Sequence, residues 1–183
     1  MKYLRTLFVL GVILNIPVML QAQPEEMKDH PVYLWLDAGI GEGSFGTDSS
    51  LELSLLTHFG LFSARYKKLE TEGFTTPHYF HEGYYLKRMT EWAVMFGQAY
   101  QRPFWFASAS VGLSVLRTEY DHPGIGSSTI GLPFQAEIFT TPFAFLGFGF
   151  TFNSNVNDVK SFTSTSVCVR VGVLRYYEPR GSE

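Results

Sequence analysis

The sequence predicts an all-β fold, an eight-stranded antiparallel up-and-down transmembrane β-barrel preceded by an N-terminal signal peptide. Three observations carry that prediction: apolar and polar residues alternate with period two, the polar face is built largely of Ser and Gly, and short connections alternate with longer ones. Period two separates the faces of a strand and mixes those of a helix. The composition agrees. Of 183 residues 45% are hydrophobic but only 17% charged, with 17 Phe, 10 Tyr and 17 Gly, whereas ordinary soluble domains carry about 25% charge. Mean hydropathy is nevertheless only +0.02, so regularly placed polar residues dilute the apolar ones, which excludes a bundle of membrane helices. A net charge of -3 provides no basic field for nucleic acid, which is excluded as a partner.

Taken in order, the first element is an export signal over residues 1–22. Lys2 and Arg5 precede an apolar run from Leu7 to Leu20, then the small Ala22 and polar Gln23 and Pro24. That is the order of a secretory leader cleaved near Ala22. The run is interrupted by Asn15 and Pro17 and is too short to anchor as a helix. The barrel then occupies residues 23–177, and 178–183 form a short C-terminal tail.

The barrel strands are expected near 33–42, 50–58, 61–69, 89–100, 104–118, 128–140, 143–153 and 162–175. In the first, Leu34, Leu36, Ala38 and Ile40 alternate with Trp35, Asp37, Gly39 and Gly41; in the second, Leu51, Leu53 and Leu55 alternate with Glu52 and Ser54. The third sets Phe62, Ala64 and Tyr66 against Ser63, Arg65 and Lys67, and the fourth sets Trp92, Val94 and Phe96 against Glu91, Met95 and Gly97. The fifth has the longest alternation, with Trp105 to Val115 on one face and Phe106, Ser108, Ser110, Gly112 and Ser114 on the other. In the sixth, Ile130 to Ile138 oppose Gly131, Gln135 and Glu137; in the seventh, Leu146 to Phe152 oppose Gly147, Gly149, Thr151 and Asn153; in the eighth, Val167 to Val173 oppose Ser166, Cys168 and Arg170.

The links at 58–60, 101–103 and 140–142 read as tight, and those at 43–49, 70–88, 119–127 and 154–160 as longer. Outer-membrane barrels show that order, with short periplasmic turns and longer external loops. A soluble lipocalin-like carrier of an apolar ligand has the same alternation with the faces reversed. Rows of Val, Leu and Phe facing outward are intolerable in water and suited to lipid, and an eight-stranded lumen is too narrow for aromatic rows. The face chemistry therefore favours membrane insertion.

Asp37, Glu52, Arg65, Glu91, Glu137 and Arg170 all fall on the lumen face, where each charge needs a partner. They are expected to form a lumen charge network, with Glu52 near Arg65 and Arg170 near Asp37 once the eighth strand closes on the first. A conducting path is the alternative use of such charges, but eight strands leave no wide pore.

The segments Leu61-Phe62-Ser63-Ala64-Arg65-Tyr66, Thr129-Ile130-Gly131-Leu132-Pro133-Phe134-Gln135-Ala136 and Leu146-Gly147-Phe148-Gly149-Phe150 resemble small outer-membrane β-barrel proteins of the Bacteroidetes type. The resemblance implies export, an outer-membrane barrel, and contact with outer-membrane lipid and the barrel-assembly machinery; it implies no general enzymatic activity. The chain departs from the usual pattern in that Tyr176 and Tyr177, at the end of the last strand, are followed by six further residues instead of closing the chain.

Gly39-x-Gly41-x-Gly43 opens no helix and is not a dinucleotide fingerprint. His78, His81 and Glu82 lack the spacing of a metal-binding helix, and no metal or other cofactor is expected. The lone Cys168 reads as a small packed thiol. Asp121, His122 and Ser127 or Ser128 would be the candidates for a lipid-modifying enzyme, but they flank Pro123-Gly124 and read as turn residues. The 70–88 loop, with Phe74, His78, Tyr79, Phe80, His81 and Tyr84, is the expected contact surface for an external ligand or surface partner. The expected role is structural, adhesive or ligand-binding, not catalytic; the alternatives are a lipid-modifying enzyme or the soluble carrier.

Overall fold

In a computed structural model the alternating segments form antiparallel strands joined into one closed sheet. The structure describes residues 32–71, 80–81, 84–102, 104–122 and 125–174. The signal segment and the C-terminal tail lie outside them. Among the described residues no helix is long and apolar enough to cross a membrane.

The strands are β1 (Tyr33–Gly43), β2 (Gly46–Thr57), β3 (Gly60–Glu70), β4 (Phe80–His81), β5 (Tyr84–Arg102), β6 (Trp105–Tyr120), β7 (Gly126–Thr140), β8 (Leu146–Asn157) and β9 (Phe162–Gly172). Two-residue β4 pairs only with the start of β5. The other eight form an antiparallel barrel in which β9 pairs with β1 and β3 with β5, leaving no open edge. Closure is what lets strands cross a bilayer, because every ladder N–H and C=O finds a partner within the sheet.

The sequence-expected strands are all present, but their loop-side bounds shift. The expected connection at 43–49 is a two-residue turn at Ser44 and Phe45, because Gly46 pairs with β1 and Thr47 to Ser49 pair with both β1 and β3. Gly46, at φ 130°, accepts the left-handed backbone that this tight reversal requires. The fourth barrel strand begins at Tyr84, not near 89, and the connection at 140–142 widens to 141–145. Short and long connections therefore do not alternate strictly. The four connections 44–45, 71–83, 121–125 and 158–161 share one end of the barrel, here the loop end; 58–59, 103–104 and 141–145 share the other, the turn end.

The faces divide as the alternation requires. Outward rows expose Ile40 at 73%, Ile130 at 71% and Trp92 at 66%, while Arg65, Lys67 and Glu91 on the inner face are fully buried. On β6 the outward apolar positions run from Trp105 to Val115. Ten steps of about 3.4 Å on a strand tilted by about 40° give a belt about 26 Å tall, close to the apolar band of an outer-membrane barrel. Aromatic pairs mark its margins: Tyr66 meets Trp92 at 4.7 Å near the loop end, and Tyr100 meets Trp105 at 5.2 Å near the turn end. Amphipathic rings of this kind settle at the membrane–water interface.

Candidate functional site

The lumen is filled in three layers. At the turn end Tyr33, Trp35, Leu56, Leu61, Phe106 and Phe139 form an apolar cap. At the loop end Phe45, Leu69, Leu86, Met89, Leu116 and Phe162 form another. Between them lies a polar network assembled by the strand register.

One register row reads Arg65, Glu52, Asp37 and Arg170 across β3, β2, β1 and β9. Arg170 donates from Nε and Nη2 to the two Asp37 oxygens at 2.8 Å each, and from Nη2 to Glu137 at 3.0 Å. Its guanidinium lies against the rings of Phe139 (3.7 Å), Trp35 (4.5 Å) and Phe106 (4.5 Å), and Trp35 Nε1 donates to Asp37 at 3.0 Å. The cation is thus held between two carboxylates and an aromatic cap.

Glu52 and Arg65 face each other in the register. Arg65 nevertheless forms its salt bridge with Glu91, at 2.8 Å, and reaches across the lumen to Gln135 (2.6 Å) and Asn153. Glu52 instead accepts from Ser54 at 3.2 Å and from Gln135 at 2.7 Å, and the same Gln135 Nε2 donates to Glu137 at 2.5 Å. Glu91 also accepts from Asn155 at 2.5 Å. Cys168 is packed beside Thr151 at 3.5 Å, with Gly39 and Gly149 as its register neighbours.

Two members of the network escaped the sequence reading. Lys67 donates to Asp48 and Ser164, each at 2.8 Å, and Ser166 donates to Asp48 at 2.8 Å. In the sequence Lys67 shares the polar face of the third expected strand with Ser63 and Arg65. Asp48 fell in a stretch of Gly, Thr, Asp and Ser that reads as a loop; the only available signal was that extending the second strand by one pleat brings Asp48 onto the Glu52 face. The buried charges among the described residues are therefore Asp37, Asp48, Glu52, Glu91, Glu137, Arg65, Lys67 and Arg170, a set in which carboxylates outnumber cations.

Of the expected loop contacts, Phe74, His78 and Tyr79 lie outside the described residues. Phe80 and His81 form β4 and pair with Tyr85 and Tyr84, so this part of the loop is a hairpin that extends β5 beyond the barrel wall. Glu70, Arg88 and Glu119 form an ion-pair row at the loop end, with Arg88 at 3.0 Å from Glu70 and 3.6 Å from Glu119. Lys160, over the Phe45 ring at 5.7 Å, has its ammonium pKa lowered by partial burial. His122, Ser127 and Ser128 line one cleft at this end, and Ser127 Oγ shares a 2.7 Å hydrogen bond with Thr118. Asp121 is not among the residues lining that cleft. Among the described residues no cluster of His, Cys, Asp and Glu could hold a metal ion.

The fold is that of small outer-membrane β-barrels. Similar solved structures include Neisserial surface protein A, with TM-score 0.54 and 16% identity over 76% of this chain and 96% of that one. The N-terminal β-barrel domain of Pseudomonas aeruginosa OprF matches with TM-score 0.55 and 10% identity, again over 76% and 96%. The attachment invasion locus protein Ail of Yersinia pestis, solved with the heparin analogue sucrose octasulfate, matches with TM-score 0.50 and 9% identity over 77% and 96%. No protein-family model matches the chain, and no curated protein matches it.

Proposed function

We infer that the chain is an exported outer-membrane protein with a structural or adhesive role, its loop end facing outward and carrying the contact surface. One observation carries this reading: the lumen is closed by an apolar cap at each end and by bonded charges between them. Among the described residues, an interior packed in this way favours neither a solute path nor an enclosed apolar ligand. What remains available is the wall, which suits lipid, and the rim, where the 71–83 connection is the longest. Surface presentation of loops on a rigid barrel is a general way to place recognition residues.

The finer reading is a small barrel of the Bacteroidetes type with a leader cleaved near Ala22, supported by the Leu61–Tyr66, Thr129–Ala136 and Leu146–Phe150 segments. The attachment role named for Ail is consistent with an adhesive use of the rim. Outer-membrane lipid surrounds the wall, the assembly machinery inserts it, and an external surface partner meets the rim. The test is a chain whose residues 72–83 are replaced by a short Gly/Ser linker. It is expected to fold and reach the outer membrane in full amount while cells expressing it lose surface attachment relative to the parent. Attachment unchanged by the replacement contradicts the role given to this loop.

A further inference from the structure

We propose that the outer wall carries a site for an anionic, phosphate-bearing lipid, with a groove for an acyl chain and a basic cleft for the headgroup. The first half of the site is a groove of about 690 Å³ sunk into the apolar belt. Two circumferential rows of outward side chains bound it. The lower row includes Leu53, Ala64, Val94 and Leu113, and the upper includes Tyr66, Trp92, Val115 and Ile130, each row read straight across paired strands. Ala64 is the small member of its row, flanked by Leu53 and Val94, and Tyr66 and Trp92 stand beside it on the loop-end side. A short side chain among long ones makes a depression on a surface that is otherwise convex.

The second half is a polar cleft of about 490 Å³ at the loop end, lined among others by Lys87, Arg117, Glu119, His122 and Ser128. The two halves adjoin. Val115 and Ile130 line the groove, and the next outward residues on the same two strands, Arg117 and Ser128, line the cleft and are register partners. Headgroup and tail of one amphiphile are therefore offered neighbouring surfaces of matching polarity.

Charge complementarity selects an anion. The carboxylates flanking the cleft on β3 and β6 are already engaged, Glu70 by Lys68 (2.8 Å) and Arg88 (3.0 Å), and Glu119 by Arg88 (3.6 Å). Lys87 and Arg117 are exposed, and among the described residues neither has an ion-pair partner. Lys87 sits where the β5–β6 register shifts between Leu86 and Arg88, a bulge of the kind that re-aims a side chain. Arg117 adds a planar fork of donors suited to phosphate oxygens, and the Ser128 hydroxyl lies beside it.

The inference rests on the wall facing lipid. It is tested by fluorescence quenching in vesicles, using a Trp105→Phe chain so that Trp92 is the lipid-facing tryptophan that reports. Vesicles of unlabelled phosphatidylcholine receive a small fraction of either phosphatidylglycerol or phosphatidylcholine brominated on the acyl chain. The anionic lipid is expected to quench Trp92 at a fraction about 25-fold lower than the zwitterionic one, about fivefold from each of the two cations. Arg117→Ala and Lys87→Ala are each expected to reduce that preference about fivefold, the contribution of one basic residue near a membrane surface. Ala64→Phe, which fills the groove and leaves the cleft intact, is expected to weaken quenching by the anionic lipid. Equal quenching by the two lipids in the parent, or a preference that survives loss of both cations, overturns the proposal. So does displacement by millimolar inorganic phosphate, since a free anion would then be the ligand. Absence of quenching by either lipid overturns the membrane-facing wall together with the site.

Discussion

At the scale of single residues the lumen carries an imbalance with measurable consequences. Glu91 is bound by Arg65 and by Asn155, whereas Glu52 receives only neutral donors, from Ser54 and Gln135. Neutralising the two is therefore expected to differ in sign. Glu91→Gln leaves the Arg65 cation buried without its counter-ion and is expected to destabilise the barrel by about 3 kcal/mol. Glu52→Gln removes a carboxylate from a set already in excess and is expected to be neutral or stabilising by about 1 kcal/mol. Urea unfolding of the refolded chain in micelles, followed by Trp fluorescence, measures both. Arg170→Ala is expected to cost the most, about 3–5 kcal/mol, because it strips Asp37 and Glu137 of one shared cation. A smaller loss in the Arg170→Ala/Asp37→Asn double variant than in the single would identify the orphaned carboxylate as the cause.

At the scale of elements, each strand presents lipid and lumen by turns, so a charge should be costly on one face only and by depth. Val94→Arg, in the belt, is expected to cost about 2–4 kcal/mol, and Ser128→Arg, beyond it, about 0–1 kcal/mol; the same urea titration separates them. This two-faced pattern is also what made the fold legible. Trp105 to Val115 and Val167 to Val173 declare their outward faces through period two alone, and the opposing Ser and Gly fix which way the barrel turns. The strand ends at the loop side were less legible, because Asp48 and Ser49 carry no strand preference of their own and are held there by two flanking partners. The charge partners were only half legible. Asp37 and Arg170 are directly opposed across one ladder, so adjacency of the strands brings them together. The reach of Arg65 to Gln135 and Asn153 crosses the lumen, and depends on barrel tilt and stagger that no local pattern records.

At the scale of the whole molecule, the fold turns the usual arrangement inside out: the apolar surface is the exterior, and a polar network lies at the centre of the lumen between two apolar caps. That inversion is stable only if the exterior is lipid. The filled lumen adds that planar-bilayer recordings of the refolded chain are expected to show no steady ion conductance, whereas stable unitary currents would require the network between the two caps to open. Fractionation of expressing cells, followed by gel mobility of unheated and boiled protein, tests the lipid-facing barrel most directly. A lipid-facing barrel is recovered in the outer membrane, with the unheated chain migrating as a compact species that shifts on boiling. Release of the chain as a soluble protein without detergent, with no heat-dependent shift, would contradict it.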